Sequence, residues 1–180
     1  MEQQELDQLR YPIGKFSRPE KVTTENVAAY IQKIEELPDK LIHTVFGWME
    51  EQLDTPYRPE GWTVRQVVHH LADSHMNSYI RFKWALTEDS PTIKAYDEKL
   101  WAEQRDAKKG PIEVSLKLLE ALHARWASVL KNLNDADLMR TFTHPETGKQ
   151  ISLGTNIALY AWHCEHHLTH ITNLKKRKGW

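Results

Sequence analysis

The stretch Trp162–Ile171, WHCEHHLTHI, carries histidines at positions 163, 166, 167 and 170, four of the ten in the chain. Apolar residues run through it at helical intervals. At about 100° per residue from Ile157, the side chains of Ile157, Ala161, Cys164, Leu168 and Ile171 share one arc. The spacing predicts a helix from near Ser152 or Thr155 to about Lys175, with that arc turned to a core. His163 and His167 fall at its margin beside Tyr160 and Leu174, whereas His166 lies roughly opposite. The pair His163/His167 therefore points toward the core. Two imidazoles at i and i+4 stand about 5–6 Å apart at Cβ, so they can share one divalent metal when a third ligand comes from elsewhere. Without the glutamate of a metalloprotease helix, H-x-x-x-H is a weak motif by itself, and two hydrogen-bonded boundary histidines are the plain structural reading.

The 180 residues with 40% apolar content are enough for one domain, residues 1–180, with a sizeable core. A formal charge of -1 leaves no electrostatic footprint for nucleic acid or anionic lipid, and the terminal LKKRKG reads as a solvated helix end. The single cysteine, Cys164, lies within the apolar arc, which makes it a small core thiol rather than a nucleophile or fourth ligand. One cysteine excludes an internal disulfide framework and fits a reducing compartment. No apolar run approaches the ~18 residues of a membrane span, and MEQQELDQLR is too polar for a secretory signal. The expectation is a cytoplasmic protein with no membrane partner.

Residues 1–22 read as an extended leader packed on the domain, loose over its first few residues. With Thr23 or Thr24 as N-cap, Val27, Ile31, Ile34, Leu41, Ile42 and Val45 predict a first helix to about Trp48, kinked or divided at Pro38. Thr63 is the expected cap of a second helix running to about Leu86. On its wheel Val64, Val67, Val68, Leu71, Ser78, Phe82 and Ala85 share a face. His70 sits at the margin of that face with Ser74, Asn77 and Arg81 along the same stripe, while His69 and Asp73 point away. His75 falls in the middle of the face, and periodicity does not separate it from His70 as a candidate ligand. A long connection follows, with a short helix in YDEKLWAEQR closed by Gly110 and Pro111. Ile112 to Leu133 make a third helix, with His123 as a boundary side chain and Arg125 on the surface. The segment MRTFTHPETGKQISL has a turn signal at Pro145 and Gly148 that suits a small hairpin before the last helix, with His144 as a loop histidine. Four amphipathic helices with one long crossover describe an all-α four-helix bundle, inside which histidines of the second and fourth helices could meet.

The pieces YPIGKF, LDTPYRPEGWTVRQVVHHLADSHMNSYIRFK, YDEKLW, FTHP and AWHCEHHLTHI together resemble the DinB/YfiT-like family of metal-binding four-helix bundles, over most of the chain. The resemblance implies one divalent metal per subunit, held by three histidines. The match Trp62-Thr63…His70-Leu71 selects His70 over His69 and His75, and His163…His166-His167 selects His163 and His167, the pair the wheel gives independently. Many family members carry glutamine where this chain has His170, a departure that leaves the part of His170 open. The family also implies a homodimer acting on a small molecule.

Three neutral nitrogen ligands leave coordination positions open, as a catalytic site requires. Imidazole suits several divalent ions, of which zinc is the first expectation and nickel the second. Such an ion can activate water, which reads as a metal-dependent hydrolase. It can equally deprotonate a thiol, which reads as the family's low-molecular-weight thiol transfer, of the bacillithiol S-transferase type. A non-catalytic, stress-related metal-binding module is the third reading. Ser74 and Arg81 could orient water or hold a carboxylate-bearing substrate, against the commoner reading of a buried hydroxyl and a surface ion pair. No catalytic side chain is singled out by the sequence.

Overall fold

The computed structural model describes residues 3–180. Its elements in order are α1 (Gln3–Arg10), α2 (Ala28–Val45), α3 (Glu50–Leu53), α4 (Val64–Thr87), α5 (Glu98–Ala102), α6 (Arg105–Lys109), α7 (Ile112–Leu130), α8 (Asp135–Met139), β1 (Thr141–Thr143), β2 (Gln150–Ser152) and α9 (Leu153–Lys178). The long helices α2, α4, α7 and α9 form a four-helix bundle. Helix α4 packs on α7 and α9, and α2 packs on the same two from the other side. No helix among the described residues is long and apolar enough to cross a membrane.

Burial of each apolar stripe holds the bundle together. Ile31, Ile34, Leu37, Leu41 and Val45 of α2 meet Val64, Val67, Val68, Leu71 and Phe82 of α4, Leu119, Trp126 and Leu130 of α7, and Leu153, Ile157 and Ile171 of α9 in one core. A fully buried aliphatic or aromatic side chain contributes about 1.5–3 kcal/mol, so these stripes dominate folding. Helix α4 starts where Thr63 and Gln66 cap each other: Gln66 N donates to Thr63 Oγ1 at 3.2 Å and Thr63 N to Gln66 Oε1 at 3.0 Å. The Gln66 amide also donates to the Ala102 carbonyl at 2.7 Å, tying the crossover to the start of α4.

Several expectations are corrected. The leader is not extended throughout, because Gln3–Arg10 is helical; Met1 and Glu2, part of its expected loose start, lie outside the described residues. Helix α2 begins after Val27 with no side-chain cap. The threonines before it form a separate turn, where Asn26 Oδ1 accepts from Thr23 N and Asp135 reaches over to Thr24 N. Pro38 lies inside α2 and does not divide it. The third long helix stops at Leu130, and Asn134 caps α8 instead. The short crossover helix is two, separated at Glu103 and Gln104.

The hairpin is present. Thr141, Phe142 and Thr143 pair antiparallel with Ser152, Ile151 and Gln150, and Ser152 caps α9 by accepting from Thr155 N. Gly154 lets the leader approach α9, since a Cβ there would stand 2.9 Å from Val22 Cβ.

Candidate metal centre

Neighbouring helices α4 and α9 bring His70, His163 and His167 together, with one potential ligand atom from each all within 4.8 Å of one another. His70 Nε2 and His163 Nε2 are 3.2 Å apart. Nitrogens bound about 2.0–2.1 Å from a tetrahedral ion stand about 3.3–3.4 Å from each other, so this pair fits an ion between them. The rings open into a cleft of about 720 Å³ that is also lined by Trp62, Ser74, Arg81, Tyr96, His144, Tyr160, His166 and His170, with charged residues around them. Trp62 packs on His70 with ring centroids 4.7 Å apart.

Burial keeps these imidazoles neutral. Burial pushes His70 down to about 4, with nearby His166 adding to the shift. Burial first, and neighbouring imidazoles second, hold His163 and His167 well below the usual histidine range. A neutral ring offers a lone pair, and a lone pair is what a metal needs.

Which nitrogen of His163 carries that lone pair follows from a chain of hydrogen bonds crossing all four long helices. Pro38 has no N–H, so it cannot donate to the Ile34 carbonyl one turn back in α2. His123 of α7 makes that bond instead, its Nδ1 lying 2.5 Å from Ile34 O. A carbonyl only accepts, so His123 must carry its proton on Nδ1. His123 is 1% exposed and burial pushes it down to about 4; its neutral Nε2 therefore accepts from His75 Nδ1 at 2.8 Å. By the same logic His75 Nε2 accepts from His163 Nδ1 at 3.0 Å. The remaining nitrogen, His163 Nε2, is left bare and faces His70. These assignments rest on bond polarity, which fixes each tautomer in turn.

The parts that His75 and His123 play in supporting the site are what sequence reasoning missed. His75 is in mid-face, as expected, but it serves His163 and does not join the set of three. His123 is a core residue and not a boundary one. His69, expected to point away, is buried against α7, with Nδ1 2.7 Å from Ser115 Oγ. His166, placed opposite the apolar arc, is covered by the leader: its ring stacks on Trp162 and lies 6.2 Å from Tyr11. His170 stacks on Tyr57 at 3.9 Å, and its Nε2 donates to the Arg10 carbonyl at 3.2 Å. His166, His167 and His170 form a second set of ligand atoms within 4.8 Å, sharing His167 with the first.

Ser74 is a buried hydroxyl, as the plainer reading has it: Tyr160 donates to the Ser74 carbonyl at 3.1 Å, and Ser74 Oγ lies 3.2 Å from the phenol oxygen. Cys164 is 1% exposed and burial raises its thiol, which fits a packing role. His144 follows β1 and lines the cleft.

Residues 33–171 match the sequence profile of the DinB superfamily. A protein of Oceanobacillus iheyensis named "Putative metal-dependent hydrolase" is 57% identical over 171 residues, covering 95% of this chain and 98% of its own. A Bacillus cereus protein of the same name is 55% identical over 175 residues, covering 97% of this chain and 100% of its own. Among solved structures, YfiT from Bacillus subtilis, described as "a probable metal-dependent hydrolase with an unusual four-helix bundle topology", superposes with a TM-score of 0.93 at 51% identity, covering 96% of this chain and 99% of that one.

Proposed function

The chain belongs to the DinB superfamily, and from that membership we propose that it is a metal-dependent hydrolase whose ion is held by His70, His163 and His167. The observation that carries this reading is the convergence of three neutral imidazoles, with ligand atoms within 4.8 Å, on an open cleft. A divalent ion with vacant positions supplies Lewis acidity and lowers the pKa of bound water toward about 7. Zinc is the first candidate and nickel the second.

The chain's own residues orient the ligands. His75 Nε2 accepts a hydrogen bond from His163 Nδ1–H, which keeps the ring from turning and makes the bare Nε2 of His163 a better ligand. Trp62 packs on the His70 ring and excludes water from that side. The cleft is sized for a small molecule, within the range of about 300–1,000 Å³ usual for such sites.

Elemental analysis of protein purified without chelator is expected to find one ion per chain, and His70→Ala, His163→Ala and His167→Ala are each expected to lose it. Ion content unchanged in all three variants would remove this ligand set. Metal-restored protein would be screened against esters, amides and phosphoesters, then against thiol plus electrophile. Turnover only in the second panel would replace hydrolysis by thiol transfer, and inactivity in both would leave a metal-binding module.

A further inference from the structure

Two arginines of α4 have opposite surroundings. Arg65 is 2% exposed and fully engaged: Nε donates to Asp54 at 2.7 Å, a terminal nitrogen to Glu50 at 2.5 Å, and the other to the Gly110 carbonyl at 2.9 Å. Arg81, four turns further on, lines the cleft with its Nε buried, and makes no hydrogen bond or ion pair among the described residues. A guanidinium carries five donors and no acceptor, and leaving its buried portion unmatched is costly. Carboxylates are not scarce nearby. Glu60, Glu98, Glu103 and Glu146 line the same cleft, yet none pairs with Arg81, and Glu103 is taken by Lys108 at 2.6 Å. His144, on the cleft wall beyond β1, likewise keeps a buried Nδ1 with no partner.

We propose that Arg81, assisted by His144, forms an anion subsite that grips a carboxylate at the far end of a substrate whose reacting group lies at His70, His163 and His167. The proposal rests on the metal reading above and adds the substrate class to it. Arg81 lies eleven residues beyond His70, about 20° past three full turns, so both face one side of α4 with Cα atoms about 16 Å apart. Both side chains lean toward the N-terminus, and the longer arginine reaches further back along the stripe, so its guanidinium shares the cleft with the His70 ring. Ser74 and Tyr160 line the same cleft. A planar guanidinium matches a carboxylate with two parallel hydrogen bonds, and each charge-assisted bond outweighs a neutral one.

The test uses the zinc-loaded protein and hydroxamates, which anchor on a metal. Acetohydroxamate is compared by calorimetry with monohydroxamates of linear dicarboxylic acids from succinate to suberate. One chain length is expected to bind about tenfold or more tightly than acetohydroxamate, a gain the size of one charge-assisted hydrogen bond. Arg81→Gln should abolish that gain while leaving zinc content and acetohydroxamate affinity unchanged, Arg81→Lys should keep part of it, and His144→Asn should lose part. The methyl ester of the best ligand should show none. No gain at any chain length, or a gain that survives Arg81→Gln, overturns the subsite. Failure of acetohydroxamate to bind would count against the metal reading instead. Hexanoate titrated into metal-free protein then decides the subsite separately: binding lost in Arg81→Gln supports it, and no binding overturns it.

Discussion

Because Pro38 leaves the Ile34 carbonyl without its helical donor, the proton positions of His123, His75 and His163 all follow from one main-chain acceptor. His123→Leu removes the middle of that chain and strands the His75 N–H in the core. It is expected to lower stability by about 1–3 kcal/mol, the cost of an unmatched buried donor. It should also weaken zinc binding about 10–100-fold, as loss of a ligand's supporting partner does. Chelator competition measures the second effect, and nitrogen-15 spectra of the metal-free protein read the tautomers directly. A proton found on His163 Nε2 would refute the derived order. The i, i+4 pair His163/His167 was legible in the sequence because its geometry is internal to one helix. The role of His123 was not, because its two partners sit on other helices and one is a main-chain oxygen freed by a distant proline. Arg81 was legible only as a position on a stripe, since a wheel does not report which charges lack partners.

Helix ends and close approaches fix where the site-bearing elements lie. Thr63→Ala removes the cap of α4 and is expected to cost about 1 kcal/mol, read as a lower denaturant midpoint with an unchanged slope. Gly154→Ala would drive a Cβ to 2.9 Å from Val22 Cβ. Separating them should cost about 1–3 kcal/mol and speed amide exchange in the leader. The cap of α4 could be read directly because a threonine followed three residues later by a glutamine is a local pattern. The start of α2 misled for the same reason: Thr23 and Thr24 are good caps, but Asn26 and Asp135 take their amides. The helix within the leader was missed because Gln3–Arg10 offers only Leu6 and Leu9 as apolar residues, neither fully buried, too short a stripe to stand out.

At the scale of the molecule, buried imidazoles make stability depend on pH. The unfolded chain takes up protons at its histidines below about 6.5, whereas folded His70, His123 and His166 hold off until about 4. Stability is therefore full above 6.5 and falls as the pH drops from 6.5 toward 4, because the unfolded state binds more protons in that window. Thermal melts of the metal-free protein at pH 7, 6 and 5 should show a progressive fall; an unchanged midpoint would contradict the depressed values. Metal at a hundredfold excess over its dissociation constant adds about 2.7 kcal/mol, and that increment should shrink over the same acidic range as the ligands protonate. The bundle itself was legible because its four stripes are long and periodic, and so was a meeting of histidines from the second and fourth helices inside it, while the choice of His70 over His75 came only through the family resemblance.

His70 and His163 are 93 positions apart in the chain, so their meeting requires α9 to have docked on α4. Contacts that span so much sequence form late, after the loop-closure cost has been met. An ion there needs all three histidines, so it binds the folded protein and not the chain that is still assembling. In stopped-flow experiments zinc should slow the unfolding limb and leave the refolding limb where it was. The metal would then be a brake on opening rather than a guide to assembly.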